Sequence, residues 1–380
     1  MKKVLAVLLV VVLLFVFAAC SSTSTTPSQG SESQQTDGDK VKHIIGMIWY
    51  GNTDPMGGTF YAWANHAAEI ADVELVWHFG DFTTEAQLAA CEQMISAGCE
   101  GIYFIPMDTA ANLQLGNACK NAGVYWAISN RDILDQDIKA ACYANPYMVT
   151  HIWDDSYDLA KGMVKILADQ GITKVCMISG DPKDAMMVDR NNGYRDGCED
   201  HGIEILGTFQ SEIDAKVISD GVSNFLTLYP DMQAILAVNG TGGVGEAIIS
   251  TLEGSGKDVG SVKVATFDTF AGNKEAFEKG WLSANCGGYT SECLVAFLAL
   301  VNRVKGNIKT DGPFKLHLSP IIITSSEEMD IFAKYVDNPD VQLYSDEDIR
   351  GMLQPTCDEA YYQNILDNWT MDFVRQAVGE

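Results

Sequence analysis

From Val41 onward the chain alternates short, continuous runs of apolar and β-branched residues with longer stretches of helical periodicity. Strands are expected at 43–49, 73–79, 101–106, 124–129 and 148–153, and again at 174–179, 203–209, 233–238 and 262–267. Further candidates fall at 282–286 and 320–324. Most of these runs do not alternate polar with apolar residues. Strands of that kind are buried on both faces, as in a parallel sheet covered by helices on each side. The intervening stretches carry helix punctuation. Thr84 and Asp108 are placed to open helices, and Gly98 and Gly123 to close them before the next strand. Helical patterns recur around 327–337 and 357–378. The βα rhythm runs twice, with a break near residue 150. The expected fold class is therefore α/β, with two doubly wound parallel-sheet lobes.

Ligands of such sheets bind beyond the C-terminal ends of the strands. The residues there are rich in aromatics, amides, carboxylates and arginine: Trp49, Asn130, Arg131, Trp153, Asn239 and Asp268 among them. Flat rings stack on the apolar faces of sugars, while amides, carboxylates and guanidinium groups pair with hydroxyls. A small polar solute suits that set. Asp154 and Asp155 are adjacent on an extended segment, so their side chains diverge. A helix N-terminal role suits at least one of them better than an acid/base pair does.

Charge removes other classes. With 25 Lys+Arg against 51 Asp+Glu, the formal net charge is −26, a poor match for nucleic acid or for a polybasic grip on anionic lipid. The glycines of 240–245 lack the phosphate-loop spacing and its lysine. The six histidines show no paired-ligand spacing, and no Gly-x-Ser-x-Gly elbow occurs. No catalytic constellation, cofactor or metal site is expected, and the chain reads as a non-enzyme.

The first forty residues indicate the compartment. Lys2 and Lys3 precede an apolar run of 14 residues, Val4–Phe17, followed by the small Ala18 and Ala19. That is the shape of a secretory signal, too short for a comfortable membrane span. Phe17-Ala18-Ala19-Cys20 resembles a bacterial lipobox, with Phe17 where Leu is usual. The resemblance implies lipidation of Cys20, removal of residues 1–19 and retention at the outer face of the cytoplasmic membrane or in the periplasm. Residues 21–40 hold 10 Ser or Thr and no apolar side chain to start a core. They read as a flexible tether, the segment 20–41, with a mean reach of about 25 Å. Nine further cysteines cannot all pair internally, and none is spaced as Cys-x-x-Cys. Buried free thiols are the simplest reading; one or two disulfides stay open.

The order of motifs in the body resembles the type I periplasmic binding proteins, in particular the ribose/galactose-binding-like solute receptors of ABC transporters. Gly57-Gly58-Thr59-Phe60-Tyr61 resembles the loop whose paired aromatics stack on sugar. Gln87, Ile95–Ile102 and Ile105-Pro106-Met107-Asp108 follow in order. Ser129-Asn130-Arg131 resembles an Asp-Arg pair, with Asn130 for Asp. Asp155 stands at the crossover. Arg190-Asn191-Asn192-Gly193-Tyr194 is similar to Arg-x-x-Gly-Phe, and Ala237-Val238-Asn239-Gly240 to an Asn-Asp turn. Thr266-Phe267-Asp268-Thr269 resembles the segment carrying a sugar-binding aspartate.

The resemblance covers about residues 43–325. It implies an N-terminal lobe of 42–152 plus 287–318, and a C-terminal lobe of 153–286 plus 319–380, joined by three crossings. It implies a monomeric receptor that closes on a monosaccharide and delivers it to ABC permease subunits. The ligand-binding residues would be Trp49, Phe60, Tyr61, Asn130, Arg131, Trp153, Arg190, Asn239 and Asp268. Two features depart from the pattern. Cys286-Gly287-Gly288 replaces a Gln-x-Pro hinge, and the tail after Ile323 is long. The departures at Asn130 and Cys286 leave a nucleoside, a purine or a modified sugar as an alternative ligand, and sequence leaves a membrane signalling receptor as an alternative partner.

Overall fold

Twelve strands form two six-stranded sheets in a computed structural model, which describes residues 42–380 except 81, 82, 107, 211–213 and 310. Residues 1–41, with Cys20 and the tether, lie outside the described residues. In chain order the strands are β1 His43–Trp49, β2 Val73–Phe79, β3 Gly101–Phe104, β4 Tyr125–Ile128, β5 Met148–Asp154 and β6 Lys174–Ser179. They continue as β7 Glu204–Gln210, β8 Ala234–Ala237, β9 Lys263–Phe267, β10 Leu282–Gly287, β11 Phe314–Leu318 and β12 Ile321–Ile323. The first sheet runs β11-β5-β4-β3-β1-β2 and the second β12-β10-β9-β8-β6-β7. Every pairing is parallel except β10 with β12. The central strands β3 and β8 are buried along their whole length, as their unbroken apolar sequences demand.

The loops leaving the strands end in helix caps. Asp54, Thr83, Asp108, Asp135, Asp184 and Asp214 each accept from backbone N–H groups of the helix that follows. The cap of the second helix is thus Thr83, one residue before the expected Thr84. Gly98 and Gly123 adopt the left-handed conformation at helix ends, with φ of 86° and 73°. Asp155 takes the N-cap position of the helix Ser156–Asp169, and its carboxylate accepts from Ser319.

The helix Thr290–Val304 is buried from Thr290 through Asn302. A helix apolar all round must be covered on every side. Strands β3–β5 cover one side and the chain's tail covers another. This corrects the assignment of 319–380 to the C-terminal lobe. Strand β12 and the helix Ser326–Ile331 stay with the second lobe. The helix Met371–Val378 packs on the turn Phe332–Val336, and the helices Asp346–Met352 and Glu359–Asp367 return to the first lobe. There Trp369 and Tyr344 stack at 5.8 Å, with Trp63 edge-on to both. The Trp63 indole donates to Val341 O at 2.6 Å. The tail thus adds a fourth crossing to the three expected.

All nine cysteines among the described residues are buried and carry no disulfide. Cys91 and Cys119 approach to 3.7 Å between sulfurs.

Candidate functional site

The C-terminal ends of both sheets face a cavity of about 1450 Å³. Asn130, Arg131, Arg190, Asn239 and Asp268 all line it. Its most fully engaged group is Arg190, presented by the helix Ala185–His201 and wholly buried. Its Nε donates to Ser156 Oγ (3.2 Å), Nη1 to Val238 O (2.8 Å) and Asp268 Oδ2 (3.0 Å), and Nη2 to Tyr289 Oη (2.9 Å). The guanidinium lies 4.0 Å from the centre of the Phe267 ring. Burial alone would lower its pKa; Asp268, then Tyr289 and Asp154, outweigh burial and raise it, so the group stays charged.

On the opposite wall Arg131 donates to Asn130 O (3.0 Å) and to the Asn130 side chain. It also reaches across to Asp184, with Nε 3.1 Å from Oδ1 and Nη2 3.4 Å from Oδ2. Arg131 belongs to the first lobe and Asp184 to the second, so this ion pair bridges the cleft. Asn130 donates to Glu292 Oε1 at 3.0 Å. Burial, then Asp154, pushes the Glu292 carboxyl well above its usual range. His151 lies behind Arg131, 3.0 Å from its carbonyl oxygen, and burial lowers its pKa to about 4.

Backbone strain marks the same place. Only three non-glycine residues among those described have positive φ, and two of them line the cleft: Asn130 (68°) and Asp268 (61°). Asn and Asp adopt that conformation more readily than other side chains, and the third, Asp72, closes the helix Pro55–Ala71. Asn239 is fixed by an Asx turn, its Oδ1 accepting from Thr241 N and Oγ1, each at 2.9 Å.

The lining is acidic, and much of that charge is committed. Asp54, Asp108 and Asp184 cap helices, while Asp184 and Asp268 hold the two arginines. Glu85, Asp181, Glu246, Asp337 and Lys183 also line the cavity, so acidic groups outnumber cations there and the lining suits hydroxyl and amine donors.

A family model described as periplasmic binding protein domain matches residues 45–293, well over half of the chain. The chain is a periplasmic binding protein. No curated protein matches it. Solved structures share the fold at low identity. An ABC transporter solute-binding protein from Burkholderia graminis, in complex with D-arabinose, gives a TM-score of 0.66 at 16% identity, over 76% of this chain and 98% of that one. One from Actinobacillus succinogenes with bound D-allose gives 0.65 at 17%, over 75% and 98%. One from Bacillus halodurans with bound myo-inositol gives 0.64 at 20%, over 78% and 100%.

Within this periplasmic binding protein the four aromatics named from sequence do not line the cavity. Trp49 is 1% exposed, and its ring packs 4.6 Å from Phe60 in the core of the first lobe. Phe60 shares a buried helical stripe with Trp63, Ala64 and Ala67, the i, i+3, i+4, i+7 face that must meet the sheet. Tyr61, one position on, turns outward against Trp77 and Phe79. Trp153 lies between His151 and His317, under Lys139. The aromatics on the wall are instead Tyr50, Phe270 and Tyr289. Asp184 and Asp337 also line the cavity, outside the residues expected from sequence. Asp184 carried a signal, a carboxylate just before a helical run; Asp337 carried none, since its placement depends on the path of the tail.

Proposed function

We propose that this protein is the solute-binding lipoprotein of an ABC importer, capturing a neutral monosaccharide or related polyol in its interlobe cleft and delivering it to permease subunits. The observation that carries the reading is the convergence of the buried Arg190–Asp268 pair, Asn130 and Asn239 on one cavity between two lobes. The ligands named for the structural neighbours support it: D-arabinose, D-allose and myo-inositol. The work is differential binding to open and closed states, without chemical turnover. Cys20 carries the lipid anchor, and residues 21–40 act as the tether. The cavity exceeds the roughly 300–1,000 Å³ of ordinary small-molecule sites, so nucleosides and disaccharides belong in the test.

The test is a thermal-shift screen of the full-length protein in mild detergent, with L-arabinose, D-arabinose, D-allose, D-galactose, myo-inositol, xylobiose, adenosine and glucose 6-phosphate. A sugar or polyol present at 100 times its Kd is expected to stabilise by about 2.7 kcal/mol, a shift of a few degrees. Glucose 6-phosphate is expected to be silent, because both cleft arginines already hold carboxylates and the carboxylates around Lys183 outnumber it. A shift with adenosine alone would replace the sugar with a nucleoside. Strong binding of the phosphate ester would overturn the neutral-ligand reading.

A further inference from the structure

The segment Ser326–Asp337 lies beyond the stretch matched by the family model, yet it forms part of the cleft wall. Met329, Ala333 and Asp337 all face the cavity. They are spaced four residues apart. In an α-helix each four-residue step overshoots a 3.6-residue turn by about 40°, so two steps would carry the third side chain well round the axis. Here the stretch Phe332–Val336 is a π-helical turn, closed by the Asp337 N–H on Phe332 O at 3.2 Å. A wider turn holds more residues and cancels the drift. The bulge therefore keeps Asp337 on the face that Met329 and Ala333 present.

Both lobes fix this wall in place. Phe332 is fully buried against Gly287 and Gly288, which themselves line the cavity; a Cβ on Gly287 would stand 2.9 Å from the ring. Gly288 O accepts from the Trp369 indole at 2.7 Å. Lys274 pairs with Asp330 at 2.6 Å. The Asp337 carboxylate accepts from Thr269 Oγ1 at 2.8 Å, next to the strained Asp268. Across the cavity from the first lobe come Tyr50 and Asp54, whose side chains bond each other at 2.9 Å. Burial, then Asp54 and Asp268 against the opposing Thr269 bond, raises the Asp337 carboxyl to about 7.

We propose that Asp337 is a specificity-determining ligand contact, accepting a hydrogen bond from a hydroxyl or ammonium donor of the bound sugar and supplied by a tail wall outside the matched family segment. The proposal rests on the sugar-binding reading above. It is tested by isothermal titration of the full-length protein and of Asp337→Asn and Thr269→Val, with L-arabinose, D-arabinose, D-allose, myo-inositol, D-glucose and D-glucosamine as probes. Asp337→Asn is expected to weaken the tightest of these by about tenfold or more and to change their order of affinity. Thr269→Val, which leaves the carboxylate in place without its anchor, is expected to shift affinity in the same direction by less. It carries the test should Asp337→Asn not fold, and unliganded melting curves control for fold. A larger loss for D-glucosamine than for D-glucose identifies an ammonium; equal losses identify a hydroxyl. Affinities for every probe within twofold of the parent in both variants would overturn the proposal and leave the sugar reading standing. Parent protein that binds none of the six would remove the sugar reading, and this proposal with it.

Discussion

At the scale of single residues the cleft is a set of buried charges, each bound to the next. Asp268 receives one bond from Arg190, and Arg190 makes three more to Ser156, Val238 and Tyr289. The two residues are therefore expected to respond differently to truncation. Under the proposed function, Asp268→Ala is expected to weaken ligand binding by about 1–3 kcal/mol with a smaller loss of melting temperature than Arg190→Ala. Arg190→Ala strips partners from four groups at once and is expected to lower both affinity and Tm. Calorimetric titration beside melting curves separates the two; unchanged affinity in both variants would place the site elsewhere. Asp337 gives a prediction in pH. Unfolded, its carboxyl ionises near 4, whereas folded it does so near 7. Between those values the folded state keeps a proton that the unfolded state has lost, so stability through this group falls as pH rises from 4 to 7. His151 acts oppositely: held near pKa 4 when folded, it removes stability as pH falls from about 6.5 to 4. Comparison with Asp337→Asn isolates the first group. The Tm of the variant minus that of the parent is expected to be larger at pH 8 than at pH 5, and a constant gap would sink this assignment.

Elements hold those residues in register. Arg190 rides on the helix Ala185–His201, which packs closely on the helix Ser156–Asp169 because Gly193 and Gly197 bring no side chain to the contact. A methyl group at Gly193 would collide with Tyr157 O and the Ala160 side chain. Gly193→Ala is expected to destabilise by about 1–3 kcal/mol through overpacking, although alanine is the better helix former. A denaturant midpoint equal to that of the parent would mean the helices separate freely. The strands were legible in sequence because parallel strands under helices need continuous apolar runs, and those runs stand out. Strand β11 escaped for the converse reason. Phe314–Leu318 lies at a sheet edge, buries alternate residues and exposes Lys315 and His317, so no continuous run marks it. At the site, groups anchored by local geometry could be read: Asn130, Arg131, Arg190, Asn239 and Asp268 each sit at a strand end or on the helix facing one. The aromatics could not, because a ring after a strand serves core and cleft equally well, and only three-dimensional packing distinguishes them. The route of the tail was beyond sequence as well, since Trp63 and Trp369 meet across some three hundred residues of chain.

For the whole molecule, the question is what holds two lobes together before a solute arrives. The first lobe contributes Arg131 and the second Asp184, and both side chains are only 10% exposed. A pair this buried gains little over well-packed apolar groups, yet removing one member leaves an uncompensated charge, which is costly. Opening the cleft lets water reach that charge. Loss of one partner therefore penalises the closed form more than the open one. Asp184→Ala is expected to shift unliganded protein toward the open form, with a larger radius of gyration in solution scattering than the parent. The ligand is expected to restore the compact form, but at higher concentration, because apparent affinity scales with the fraction of molecules closed beforehand and that fraction has fallen. The Arg131→Ala, Asp184→Ala double variant separates the latch from direct ligand contact. If the pair acts mainly on closure, the double variant is less open than Asp184→Ala alone, since no charge is left stranded. Identical scattering from parent and Asp184→Ala would show that the crossings and the tail set the resting angle, with the ion pair as a consequence of closure rather than a cause.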